Sequence, residues 1–314
     1  MFAYAIRRIV ATIPVILIVA FFVFSLLYIA PGDPAAVIAG DQATPQDVER
    51  IRESLGLDRP FLVRFADWLF HVIRGDLGQS IFTNLPVTHM IAQRIEPTVS
   101  LMILTLTLSL SFAIPMGVIA AWKHGTIVDR AVMFTAVFGF STPVFVIGYL
   151  LAYFFALQLD WLPVQGFTSI SQGLGPFLRN LILPAVALGL VYMALIARIT
   201  RATMLEVLRQ DYVRTARAKG MPEWVVVGRH ALANTLIPVV TVIGLIVGIL
   251  LGGAVVVEQV FSLPGVGRLI IGAILRRDFP VIQGGLLLTA SIFVVVNILV
   301  DIAYAYLDPR VRYD

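Results

Sequence analysis

An all-α polytopic membrane protein with about six transmembrane helices is the fold class this sequence predicts. Three observations carry that expectation. Of 314 residues, 59% are hydrophobic and 13% charged, where soluble domains hold about 45–50% apolar and about 25% charged residues. The mean hydropathy is +0.92. Six stretches approach the roughly 20 apolar residues, at about 1.5 Å of rise each, that cross a hydrocarbon core of about 30 Å. A chain this apolar has no water-compatible surface, so lipid must replace the missing polar face.

The first stretch, 9–30, is uncharged and follows Arg7 and Arg8. It is longer than the roughly 7–15 apolar residues of a signal-peptide core, which predicts a retained anchor helix over residues 1–30. Residues 31–96 are punctuated by Pro, Gly and charge, and predict an extracytoplasmic segment with short helices. Residues 97–306 hold five more spans, near 97–122, 131–159, 181–197, 235–257 and 281–306. The 181–197 span is short, and the last ends between Asp301 and Tyr306. A tail, 307–314, follows.

Lys and Arg set the orientation. With the N-terminus inside, thirteen of the 23 positives fall in inside segments and ten outside, six of those ten in the long first loop. Long loops weigh little in this rule. Both termini are therefore expected in the cytoplasm.

Several functions are excluded early. The net charge is +4 and the positives are dispersed, so no nucleic acid partner is expected. With no cysteine there is no disulfide, thiol nucleophile or thiolate metal site. His71, His89, His124 and His230 are too scattered for a metal-ligand spacing, so no metal site is expected. Lys123 and Lys219 are the only lysines and precede His124 and Gly220, so no phosphate-binding Gly-Lys-Ser/Thr loop exists and the chain does not hydrolyse ATP alone. The first five span cores lack the ionisable groups of ion-coupled carriers. Neither a Gly-x-Ser-x-Gly elbow nor a His-Glu-x-x-His pair occurs, so no catalytic residues are assigned and an enzyme is not expected. Any transport must draw on a partner or on the solute's own gradient, the latter through a carrier or channel.

The stretch 198–234 is the most informative. Good helix formers run up to Gly220 and Pro222, which stop the helix. Ala216 and Gly220 are four apart and share a face open to close approach by another chain, with Arg214 and Arg217 beside it. A solvated basic loop that fixes topology and a short helix that docks into a partner both fit these features.

The run Tyr212-Val213-Arg214-Thr215-Ala216-Arg217-Ala218-Lys219-Gly220, followed by Met221, resembles the coupling-loop motif of ABC importer permeases in the form used by peptide importers. Against the general motif only Ala216, Gly220 and Leu232 match, which points away from sugar and inorganic-anion importers. Further matches lie in order along nearly the whole chain. They are Leu27-Tyr28-Ile29-Ala30-Pro31-Gly32-Asp33-Pro34, Leu55-Gly56-Leu57-Asp58-Arg59-Pro60 and Gly75-Asp76-Leu77-Gly78-Gln79-Ser80. Phe261-Ser262-Leu263-Pro264-Gly265-Val266-Gly267-Arg268, Arg277-Asp278-Phe279-Pro280 and Asp308-Pro309-Arg310-Val311-Arg312 complete the series.

This resemblance implies a type I ABC importer permease fold in a bacterial inner membrane. It implies half of a translocation pore for dipeptides, oligopeptides or a related solute such as glutathione or a nickel complex. The partners implied are a second homologous permease subunit, two ABC ATPase subunits, an extracytoplasmic solute-binding protein and membrane lipid. This chain would bind no cofactor, with ATP and Mg held by the ATPases. Residues Tyr212 and Arg214–Met221 would couple to the ATPases.

Other features carry weaker expectations. Gly139 and Ser141-Thr142-Pro143 in the third span, and Pro115 in the second, should bend their helices. Thr105, Ser141, Thr142, Pro143 and Asn297 are candidates for a translocation path or gate. Gly244, Gly248 and Gly252 form a small-residue stripe suited to close helix packing, at a subunit interface in the sharper reading. Asn297 and Asp301 share a face and read as a structural pair. Glu258 reads as a boundary residue beyond the fifth span, and His230 as a packing or capping residue.

Overall fold

The computed structural model describes residues 2–29, 34–39, 43–54 and 56–307. Parts of two matched motifs, residues 30–33 and Leu55, lie outside the described residues, as does the tail from Asp308 to Asp314 with the Asp308–Arg312 match.

The regular elements described are helical, with one isolated bridge between Gln79 and Pro86. After α1 (Phe2–Ile29) the polar segment forms short helices, α2 (Pro34–Ala39), α3 (Pro45–Ser54) and α4 (Phe61–Ile73). Helix α5 (Val87–Trp122) begins well before the predicted second span and carries Pro97 and Pro115 inside it.

The third span is not one straight helix. α6 (Ile127–Ser141) and α7 (Val144–Leu151), which runs into a π-helical stretch at Ala152–Gln158, meet at a 102° bend. Pro143 is the cause: it lacks an N–H and disfavours helical backbone at Thr142, whose φ and ψ are −89° and 127°, so α6 stops and α7 starts afresh. The Thr142 hydroxyl donates to the Phe138 carbonyl at 2.8 Å, beside the Thr142 N–H at 3.2 Å.

The fourth span is longer than its apolar run suggested. Helix α8 (Leu174–Val207) has 34 residues and continues beyond the 181–197 apolar run at both ends. Then come α9 (Asp211–Ala218), α10 (Glu223–Val225) with a π-helical turn at Val226–Ala231, α11 (Leu232–Val260), α12 (Val266–Arg276) and α13 (Phe279–Leu307). Among the described residues five helices are long and apolar enough to cross a membrane, or six with α6–α7 counted as one broken span.

The helices pack as two units, Phe2–Glu96 with Gly265–Val295, and Pro97–Pro264 with the chain from Val296. In the first unit, Phe21, Phe24 and Tyr28 on α1 meet Phe61, Phe65 and Trp68 on α4 in edge-on and tilted ring contacts. Such pairs hold beyond plain area burial. In the second unit α8 is the central helix, with α6, α7 and α11 against it. The Ser109 hydroxyl of α5 donates to the Gly189 carbonyl of α8 at 3.2 Å, a contact that glycine's missing side chain permits.

Candidate functional site

The segment from the end of α8 to the start of α11 folds as a small platform. The chain turns through Leu208–Gln210, and α9 begins at Asp211 with an acid in its first turn and Arg217 in its last, as the helix dipole favours. Val213 and Ala216 are buried one turn apart against Val226, with Val207 and Leu208 completing the cluster. This apolar stripe fixes which way α9 faces.

Gly220 ends the helix by a specific hydrogen-bond pattern. Its φ is +75°, a left-handed conformation that glycine adopts without penalty. The Met221 N–H donates to the Ala216 carbonyl at 3.3 Å, and the Gly220 N–H to the Arg217 carbonyl at 2.9 Å. Those two bonds together form a Schellman stop. A Cβ at Gly220 would meet nothing within 4 Å. The motif glycine is thus needed for its backbone angle, and the close approach expected at Ala216 is made by the chain's own Val213 and Val226 cluster.

Two polar links brace the platform. Arg217 donates to Glu223 through Nη2 at 2.6 Å and Nε at 3.2 Å, a two-pronged pair that joins α9 to α10 and raises the Arg217 pKa above its ordinary value. Asn234 Nδ2 donates to the Tyr212 hydroxyl at 2.8 Å, joining α9 to α11. The remaining coupling candidates, Arg214, Thr215, Ala218, Lys219 and Met221, are exposed, as is Trp224 at 75%. The exposed face of the platform is thus both basic and apolar, with Arg214, Lys219, Met221 and Trp224 on it.

Two known families match the chain. The N-terminal membrane-component family of binding-protein-dependent transport systems matches residues 1–113, and the family of binding-protein-dependent transport system inner membrane components matches residues 113–313. The chain belongs to that inner-membrane family. Over 310 residues, 99% of each chain, it is 52% identical to a Sinorhizobium fredii protein named as a probable peptide ABC transporter permease. It is 42% identical over the full length of both chains to a dipeptide transport system permease protein from Alkalihalophilus pseudofirmus. A glutathione transport system permease protein from Salmonella choleraesuis is likewise 42% identical across both whole chains.

In this inner-membrane component the path candidates do not gather at one point. Ser141, Thr142 and Pro143 form the α6–α7 break, beside an apolar cavity of about 400 Å³ that Thr142 helps line with Phe138, Leu150, Phe154 and Met193. Thr105 is fully buried on α5, with a hydroxyl oxygen that has no hydrogen-bond partner among the described residues. Asn297 is half-buried on α13, with Asp301 one turn further on. Gly244 lies against Val300 of α13, while Gly252 faces open space and its neighbour Gly253 makes the close contact, to Tyr192 and Leu188.

Two polar features escaped the sequence reading. Glu258 is not a boundary residue: it lies within α11, is fully buried and accepts from the Thr98 hydroxyl at 2.6 Å. Asp129, at the start of α6, is buried and ion-paired with Arg201. An acid in the first turn of a helix and a basic residue among apolar ones in α8 were the available signals, and neither names its partner. His230 sits in the π-helical turn before α11, with Nε2 buried and unpartnered among the described residues.

Proposed function

We propose that this chain is the transmembrane permease subunit of an ABC importer, forming half of a translocation pore for peptides or a peptide-like solute such as glutathione. The α9 platform carries this reading: a short helix held by Val213, Ala216 and Arg217, with Tyr212, Arg214, Lys219 and Met221 turned outward. The full-length similarity to peptide, dipeptide and glutathione permeases supports the solute class.

In this proposal both termini and α9 lie in the cytoplasm, where α9 docks on one of two ATPase subunits that hold ATP and Mg. A second permease subunit completes the pore, and an extracytoplasmic binding protein delivers the solute. ATP binding draws the ATPases together and carries α9 with them. The spans follow as a bistable assembly, biased by the difference in ATP affinity between its two states. The permease itself contributes no phosphate-binding loop.

The test is affinity purification of the tagged chain from mild-detergent membranes, beside a Gly220→Arg variant. ATPases and a second permease should accompany the wild type, and the ATPases should be lost from the variant. Stable recovery of the wild type without any ATPase would overturn the proposal.

A further inference from the structure

A second polar cluster lies in the same unit as α9 but outside the platform. The buried Asp129 carboxylate accepts from Arg201 Nε at 2.5 Å and Nη2 at 2.8 Å, and from the Gly125 N–H at 3.0 Å. His124 Nδ1 lies 3.1 Å from the carboxylate and 3.0 Å from Arg201 Nη2. Three pieces of chain are thereby tied together: the α5–α6 turn, the first turn of α6 and the end of α8.

The positions of these groups give the cluster a mechanical meaning. Arg201 lies near the end of α8, the helix that leads through one short turn into α9. One turn beyond it, Met204 is fully buried with Ala121, Val227 and Ala231. Asp129 holds one end of α6, and the 102° break at Ser141–Pro143 lies at the other. Between those ends α6 approaches α8 at Gly139, which faces the Leu190 carbonyl, and the Arg198 guanidinium lies over the Phe140 ring. Asp129 and Arg201 add a two-pronged charged link between the two helices, its carboxylate buried and its guanidinium half-buried, and separation would leave the Asp129 charge without its main partner.

We propose that Asp129 and Arg201 clamp α6 to the end of α8, so that displacement of α9 swings α6 about the Ser141–Pro143 break as part of the transport cycle. Both are positioning residues. The inference rests on the coupling role given to α9 above.

The test uses the whole importer reconstituted in liposomes with its ATPases, second permease and binding protein. The chain has no cysteine, so one pair of introduced cysteines at a time carries the spin labels. In the otherwise wild-type complex the 131–202 distance should stay the same between nucleotide-free and ATP-bound states, while the 131–149 distance across the break should change. In the Asp129→Leu/Arg201→Met double variant, which removes both charges, solute moved per ATP hydrolysed should fall about tenfold at an unchanged melting temperature. Arg201→Lys, which keeps the charge, should fall between.

A 131–202 distance that changes in the wild type overturns the clamp even if the variants do not fold. So does a double variant that moves as much solute per ATP as the wild type. If wild-type uptake proceeds without the ATPases, the coupling reading itself fails, and that outcome is distinct from either result for the clamp.

Discussion

The Ser80 hydroxyl donates to the Asp278 carboxylate at 2.5 Å, and the neighbouring Ile81 N–H donates to its other oxygen at 3.2 Å. Both Ser80 and Asp278 are buried. Arg277, with φ of 58°, ends α12 in a left-handed turn and so delivers Asp278 to the loop that precedes α5. Two segments that the sequence offers as separate motif matches, 75–80 and 277–280, are thus two sides of one junction.

Removing that carboxylate should loosen the junction. Asp278→Ala leaves a buried hydroxyl and a backbone N–H short of their acceptor, so a loss of about 2 kcal/mol is expected. Asp278→Asn keeps one carbonyl oxygen and should lose less. Thermal unfolding of the detergent-purified chain measures both, and an unchanged midpoint for the alanine variant would contradict the assignment.

The Thr98–Glu258 pair should behave as one energetic unit. Its 2.6 Å bond joins α5 to α11 through side chains shielded from water, where charge-assisted hydrogen bonds are strong. Thr98→Val keeps the shape and removes the donor, for an expected loss of about 1–3 kcal/mol. In a double-mutant cycle with Glu258→Met, which removes the acceptor, the two changes should be non-additive by more than about 0.5 kcal/mol. Strict additivity would mean that the bond contributes nothing.

The helical architecture was legible because apolar length alone determines which segments can cross lipid. The stop at Gly220 and the break at Pro143 were legible too, since glycine and proline act through their own backbone. Partnerships between distant residues were not. Glu258 reads as a boundary residue because hydropathy averages hide one acid at the end of an apolar helix, and nothing in sequence points from it to Thr98. Asp129 and Arg201 fall near span ends, where charges ordinarily report orientation. Helix α8 outruns its apolar stretch because good helix formers, Met204, Leu205 and Glu206 among them, carry it on past Arg198 and Arg201, where hydropathy falls.

The glycines of α11 should respond unequally to the same change. A Cβ at Gly244 would lie 2.9 Å from a methyl of Val300, a branched side chain with little room to turn aside. Gly244→Ala should therefore destabilise by about 1–3 kcal/mol through overpacking. Gly252→Ala meets no atom within 4 Å, and it should be neutral or slightly stabilising because alanine favours the helix. Equal melting temperatures for the two variants would contradict the packing described here.

Substitutions at Gly220 should separate a backbone effect from a contact effect. Since a Cβ there meets nothing within 4 Å while φ is +75°, the intrinsic penalty for an L-residue is the left-handed one, about 1–2 kcal/mol and nearly independent of side-chain size. Asparagine tolerates this region better than alanine. Folding of the isolated chain should therefore rank Gly, then Asn, then Ala, with Arg close to Ala. ATPase recovery should depart from that order, because a long side chain at an exposed interface position obstructs the partner while leaving the fold as it is. Circular dichroism melts give the first ranking and co-purification the second. If Ala and Arg reduce ATPase recovery equally, Gly220 acts only through the helix stop. If Arg abolishes it while Ala merely weakens it, the partner surface passes over Gly220 itself.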